Sequence, residues 1–444
     1  MPGKKIAPYG SWESPITTES IISDSISIGD LFISNEGIFW QEMRPTEGGR
    51  CTIMYQTSDG SKNEIVPKSY NARTRVHEYG GGSYLVHKDE VYFSNFSNQQ
   101  IYKTNLTGGN LTQITNEPLL RFADGTMDAE RQQIIYVGEN HDNKDEPVNC
   151  IVSVDIQNDG EVTILASGAD FYASPVISPD GRTLAWVQWN HPNMPWDATE
   201  LYVADLKHSE LYNPQKIAGD GESVCQPLWS PNGILHYISD LSGWWNICKY
   251  EGKKSHNLTP INAEFTQAQW GLGVRFYDFI TNDQIICAYS RLGFWKVALL
   301  DPISCDFVDI DVDIDITEIH RTGLKACNGK ALFVAGSPDH SYSLFTYETK
   351  ASIKLRVVQV STKNDIEAIH FSKPLPVKYS TTNNQECHAF YYSPVNVNYK
   401  APESAKPPLI ILSHGGPTGS TSNTLNLGIQ YWTSRGFAIL DVNY

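Results

Sequence analysis

Seven short apolar runs and a change of pattern near residue 370 predict an all-β seven-bladed β-propeller followed by a smaller α/β unit. The runs are Ile38-Phe-Trp, Val91-Tyr-Phe, Ile134-Ile-Tyr, Leu184-Ala-Trp, Ile234-Leu-His-Tyr, Ile285-Ile-Cys and Ala331-Leu-Phe, and they recur at about 43 to 53 residues, the interval of propeller blades. Polar, turn-prone pairs precede them at matching points: Lys88-Asp89, Asp180-Gly181, Asn232-Gly233 and Asn328-Gly329. A second alternating strand follows, as Leu201-Tyr-Val-Ala-Asp-Leu206 does after Leu184, so the repeated unit is a hairpin. Four-stranded blades around a channel would let each sheet cover the face its neighbour leaves open.

Within that frame residues 1–21 read as an N-terminal segment, 22–365 as the propeller and 366–444 as the second unit. The join is marked by Lys373-Pro-Leu-Pro376, after which two strand-like stretches run from Val377 to Ser380 and from Cys387 to Tyr392. A second linker, Ala401 to Pro408, leads into Leu409-Ile-Ile-Leu412, continuously apolar as a parallel strand buried on both faces should be. Ser413-His-Gly-Gly-Pro417, a helix from about Asn423 to Arg435, and Gly436 to Tyr444 complete a strand, glycine-rich turn, helix, strand order. That order is a βαβ crossover whose helix stops at a left-handed Gly436.

Composition narrows the function. The 444 residues are 19% charged and 11% aromatic, which argues against disorder and coiled coil. A formal charge of −16 repels phosphate backbones and anionic lipid heads, so nucleic acid and membrane surfaces are poor partners. No run approaches about 18 consecutive apolar residues and Lys4-Lys5 has no apolar stretch behind it, hence the expectation of a cytoplasmic protein. Eight cysteines from Cys51 to Cys387 show no Cys-x-x-Cys pair and read as buried free thiols. No G-x-x-x-x-G-K-[ST] occurs. The alternating Val308 to Ile316 reads as a strand with an acidic face, since Ile316 stands where a calcium loop needs its glycine. His191, His236, His340 and His370 lack metal-ligand spacing, and no metal is expected.

Glycines directly behind a buried strand can leave backbone N–H groups aimed into a cleft where an oxyanion develops, which makes Gly415 and Gly416 candidates; a plain tight turn is the alternative. Arg75-Val-His-Glu-Tyr-Gly-Gly-Gly-Ser-Tyr84 sets Glu78 beside three glycines, where it could hold a substrate's amino terminus or simply form a salt bridge. Trp189 to Trp196 reads as a rigid loop packing a blade edge, and Trp244-Trp245 as blade core.

These segments together, above all Leu409 to Pro417 and Tyr431 to Tyr444, resemble the prolyl oligopeptidase family of serine peptidases, in its acylaminoacyl-peptidase and dipeptidyl-aminopeptidase-like branch. The resemblance implies that the second unit is the N-terminal part of an α/β-hydrolase domain. It also implies that a propeller limits access to a serine that attacks peptide or acyl-peptide carbonyls, and that the backbone of Gly416, shaped by Gly415, supplies an oxyanion amide. His414 is a candidate for substrate contact but not the base, which lies downstream of the nucleophile in a Ser, Asp, His order. No cofactor is implied, because acyl transfer by serine needs only protein groups.

The G-x-S-x-G elbow that presents such a serine does not occur in the 444 residues. The expectation is therefore a chain truncated before the triad and inactive alone, with a complementing C-terminal fragment as a candidate partner. Too few residues follow 373 to enclose a hydrolase core, so Leu409 to Leu412 and Phe437 to Val442 should expose apolar faces. The alternative is a non-catalytic propeller binding module with a vestigial tail.

Overall fold

The structure, a computed structural model, describes residues 3–22, 25–143, 145–157, 160–363, 365–416 and 418–443. Pro417 and Tyr444 of the motifs above lie outside them. Among the described residues seven four-stranded antiparallel sheets follow one another, spanning 27–64, 84–113, 120–167, 171–218, 224–257, 277–309 and 318–360. Each is a simple meander in chain order. All seven apolar runs fall on or against the second strand of their sheet, where a strand is flanked on both sides and faces a neighbouring blade on each surface.

Alternation along those strands closes the ring. In the second blade Val91 and Phe93 pack with Phe39 and Ile53 of the first, while Tyr92 between them packs with Phe122 and Ile134 of the third. The same two-residue period continues around the molecule, because successive side chains of a strand point to opposite faces. Ile28, Leu31 and Trp40 of the first blade finally meet Leu332, Val334 and Leu344 of the seventh. The ring is thus joined by apolar packing and by an isolated antiparallel bridge, Ser25 with Thr362, beside which Ile26 N–H donates to Ser361 O (2.9 Å), without a strand shared between first and last sheets. Polar groups on the inner strands add latches: Asp30 accepts from Ser83 N–H and Oγ (2.8 Å each), Asp124 from Ser174 N–H (2.8 Å), Gln226 from Phe276 N–H (2.7 Å) and Asp278 from Ala326 N–H (2.9 Å).

The acidic stretch departs from expectation. Only Phe307–Asp309 is strand; beyond it Ile310, Val312, Ile314 and Ile316 turn inward as irregular chain against the cluster between blades six and seven. Alternation placed the apolar residues correctly, but the ladder with Phe294–Leu300 ends at Asp309, followed only by Ile310 N–H donating to Val297 O (3.0 Å).

The last sheet is built differently. Its order is Leu375–Ser380, Glu386–Tyr392, Ala438–Asn443, Leu409–Ser413, with the first three antiparallel and the final pair parallel. The helix Leu427–Thr433 connects that pair and is shorter than the sequence suggested. Asn426 caps it, its Oδ1 accepting from the N–H of Gly428 (2.9 Å) and Ile429 (3.4 Å), so residues 423–426 form the approach rather than the first turn. Gly436 ends it at φ +97°, and a Cβ there would come within 3.0 Å of Gly10 N. The N-terminal segment is tied to this unit: Lys5–Ile6 pairs in parallel with Tyr399–Lys400, Gly10 N–H donates to Arg435 O (2.9 Å), and Arg435 donates to Ile16 O (2.8 Å).

Exposure of the last sheet is uneven. Leu409 and Ile411 are 51% and 64% exposed, as the short unit led one to expect, whereas Ala438 and Ile439 are buried under the helix and Phe390. No helix is long and apolar enough to cross a membrane among the described residues. All eight cysteines are free thiols, six of them buried.

Candidate active site

A cavity of about 1270 Å³ lies between the propeller and the last sheet. Gly415, Gly416 and Thr418 reach it from one side, Trp270, Trp295 and Glu318 from the other. The glycine turn follows directly from the strand Leu409–Ser413. Gly416 has φ +73°, a conformation that disfavours a side chain, and a Cβ at either Gly415 or Gly416 would meet nothing within 4 Å. Two small residues therefore present bare backbone to open space. Gly419 has the opposite reason: a Cβ there would lie 2.7 Å from Gly415 O and 2.9 Å from the His414 ring, so the loop can double back only without one.

The turn is tied down from both sides. Trp270 Nε1 donates to Thr418 Oγ1 (2.7 Å), and Thr421 N–H donates to Asn443 Oδ1 (3.2 Å). Asn423 donates to Thr317 O (3.0 Å) and Gly293 O (3.3 Å) of the propeller, while its own N–H reaches Glu318 (3.4 Å). Burial pushes the Glu318 carboxyl up to about 8, partly offset by the Asn423 N–H, so it stands protonated at neutral pH. The adjacent His320 is carried by burial down to about 4 and is neutral. His414 sits at the end of the apolar strand beside Asp441, whose carboxyl is raised by burial and drawn back by His414.

Glu78 is placed elsewhere. Its side chain is 75% exposed and pairs with Arg121 (3.1 Å), which also holds the buried Glu139 (3.0 Å). Glu139 in turn accepts from His77 N–H (2.7 Å) and contacts His141 (2.6 Å). The carboxylate of Glu78 lines neither this cavity nor the one beside it. The three glycines after it serve another backbone: a Cβ on Gly81 would stand 2.3 Å from Leu272 O, to which this strand is bridged, and one on Gly82 would stand 2.7 Å from Asp124 Cα.

Several aromatic residues of the site were not assigned to it from sequence. Trp244 and Trp245, expected in blade core, line the central cavity, Trp244 at 37% exposure. Trp196, expected at a blade edge, lines it as well and packs on Trp270 at 4.5 Å. The usable signal was Gln269-Trp-Gly-Leu-Gly273, where two glycines follow a tryptophan outside any strand pattern.

Solved structures similar to this chain include several peptidases. A puromycin-hydrolysing peptidase of Mycobacterium tuberculosis superposes with a TM-score of 0.91 at 32% identity, covering 99% of this chain and 69% of that one. Puromycin hydrolase gives 0.88 at 26% identity, with 99% and 69% covered. Pyrococcus horikoshii acylaminoacyl peptidase gives 0.66 at 14% identity over 98% and 66%, a likeness of fold alone. No protein-family model and no curated protein matches the chain. The chain belongs to the prolyl oligopeptidase family of serine peptidases. It spans about two thirds of the length of the relatives named here.

Proposed function

We propose that this chain is the propeller and the opening of the α/β-hydrolase domain of a serine peptidase acting on short peptides or acyl- and aminoacyl-peptides. The observation that carries the reading is the bare glycine turn behind a parallel strand, opening on the cavity that the propeller covers. Backbone N–H groups at Gly415 and Gly416 have a fixed orientation before substrate arrives, so they would stabilise charge on a carbonyl oxygen without reorganising during the reaction. The propeller admits only what fits its cavity, which favours short, flexible chains over folded proteins. Glu78, held on Arg121 outside the cavity, has no part in this proposal, and His414 contacts substrate rather than serving as base.

Attack needs a serine on a G-x-S-x-G elbow, a pentapeptide absent from residues 1–444. The proposal assigns that serine, its acid and its base to polypeptide beyond Tyr444 or to a complementing C-terminal fragment. By itself the chain then has no measurable hydrolytic activity, because a triad knockout leaves only what binding and the oxyanion site supply. Incubation of the purified chain with a fluorophosphonate probe and with chromogenic aminoacyl and acyl-aminoacyl substrates tests this. Neither labelling nor turnover is expected, and stoichiometric labelling of a serine would overturn the assignment.

A further inference from the structure

A second cavity of about 310 Å³ opens beside the central one and is set into blades four and five. Its floor is aromatic. Phe171 and Trp189 stack at 5.1 Å with 11° between their planes, and His77 stands edge-on to both, at 5.2 and 5.7 Å. Met194 and Trp196 come from the loop after Trp189, and Val224 closes the far side. Among the described residues lining it there is no Asp, Glu, Lys or Arg. Burial carries His77 down to about 4, leaving it neutral at pH 7, and pushes the Cys225 thiol up, leaving it protonated; Tyr79 and the exposed His191, edge-on to Phe171 at 5.2 Å, complete the titratable lining. An ammonium placed here would lose its water and find no carboxylate, and a carboxylate would find neither a lysine nor an arginine.

Tyr79, Trp196 and residues 269–273 line both cavities. Trp270 is the dividing wall. Its ring lies 4.8 Å from Tyr79 and 4.5 Å from Trp196, and its Nε1 holds Thr418, two positions past Gly416. A group entering the side cavity therefore touches the same indole that fixes the glycine turn.

We propose that the side cavity is the subsite for an uncharged aromatic side chain of the bound peptide, with Trp270 as the wall it shares with the glycine turn. This rests on the peptide reading above. The volume sits at the lower end for ligand sites, enough for one ring and its methylene rather than for a length of peptide. The lining offers ring edges, a π-face and a thioether, the partners that an aromatic ring prefers in edge-to-face and sulfur contacts.

Calorimetric titration of the full chain with Phe-Gly-Gly, Gly-Phe-Gly, their Asp counterparts and triglycine tests the proposal. One of the Phe peptides is expected to bind about tenfold or more tightly than its Asp counterpart, the scale of discrimination by an apolar pocket. Ala173→Leu, which fills the cavity, should bring the Phe peptide to the affinity that triglycine shows for the same variant. Met194→Ala, in the exposed loop, should shift the preference towards the larger ring of a Trp peptide, and thermal melts check that both variants fold. Equal binding of Phe and Asp peptides, or a preference untouched by both variants, would overturn the subsite while leaving the peptide reading intact. Failure of every peptide to bind, triglycine included, would overturn that reading and the subsite with it.

Discussion

Two apolar strands of this molecule meet opposite fates. Gln284–Arg291 in the sixth blade has five consecutive buried residues, because sheets on both sides accept its alternating faces. Leu409–Ser413 is at least as apolar over its first four residues, yet only Ile410 packs against the core, and its pairing is with one strand alone. The contrast teaches that a repeat supplies its own cover, one blade hiding the next, whereas a parallel βαβ unit needs layers on both faces of the sheet. Apolar sequence states a demand for burial; topology decides whether the demand is met.

The largest expected effect lies on the propeller side. Phe333→Ala removes a fully buried ring that stacks on Phe345 between blades six and seven, and should cost about 3 to 5 kcal/mol in urea unfolding. A loss below about 1 kcal/mol would mean that the ring of blades is far less tightly packed than the geometry shows. Next comes a latch. Asp278→Ala removes a buried carboxyl, leaves the partly buried Ala326 N–H without its acceptor and should cost about 1 to 3 kcal/mol by the same measurement.

The junction between the two regions should respond to pH. Glu318 has its carboxyl raised from 4.5 to about 8, so the folded protein holds a proton that the unfolded chain has already released. Its contribution is undiminished below about 4.5 and declines as pH rises towards about 8. Glu318→Gln should flatten the melting temperature across that window relative to the parent; parallel curves would show that the carboxyl ionises without consequence. The smallest effect belongs to the uncovered strand. Ile411→Asn, at 64% exposure, should change stability by less than about 0.5 kcal/mol while reducing self-association in sedimentation. A large loss of stability would erase the contrast drawn between the two strands.

The propeller was legible because its signal is local and repeated: Val91, Ile134 and Ile285 announce blade strands through spacing and alternation that require no knowledge of partners. The βαβ order after Pro408 was legible for the same reason, as was the left-handed end at Gly436. What escaped was long-range. Nothing near Trp270 in sequence indicates Thr418, 148 residues away, and nothing near Glu78 indicates that Arg121 holds its carboxylate. Gly80 to Gly82 signalled a close approach correctly, but sequence could not say that the visitor is the backbone of Leu272 and Asp124 instead of a ligand. The segment 310–316 kept its apolar alternation without becoming strand, since inward-facing side chains need a neighbour to pack on but not one to hydrogen-bond with.

The stitching of residues 3–22 onto the Asn396 to Arg435 region has a mechanical outcome. Chain enters and leaves the propeller through one small clasp, so a protease nick at an exposed blade turn such as Leu292 leaves two pieces gripped at both the clasp and the cut ring. Nicked material should elute at the size of the uncut molecule and separate only when the clasp is melted.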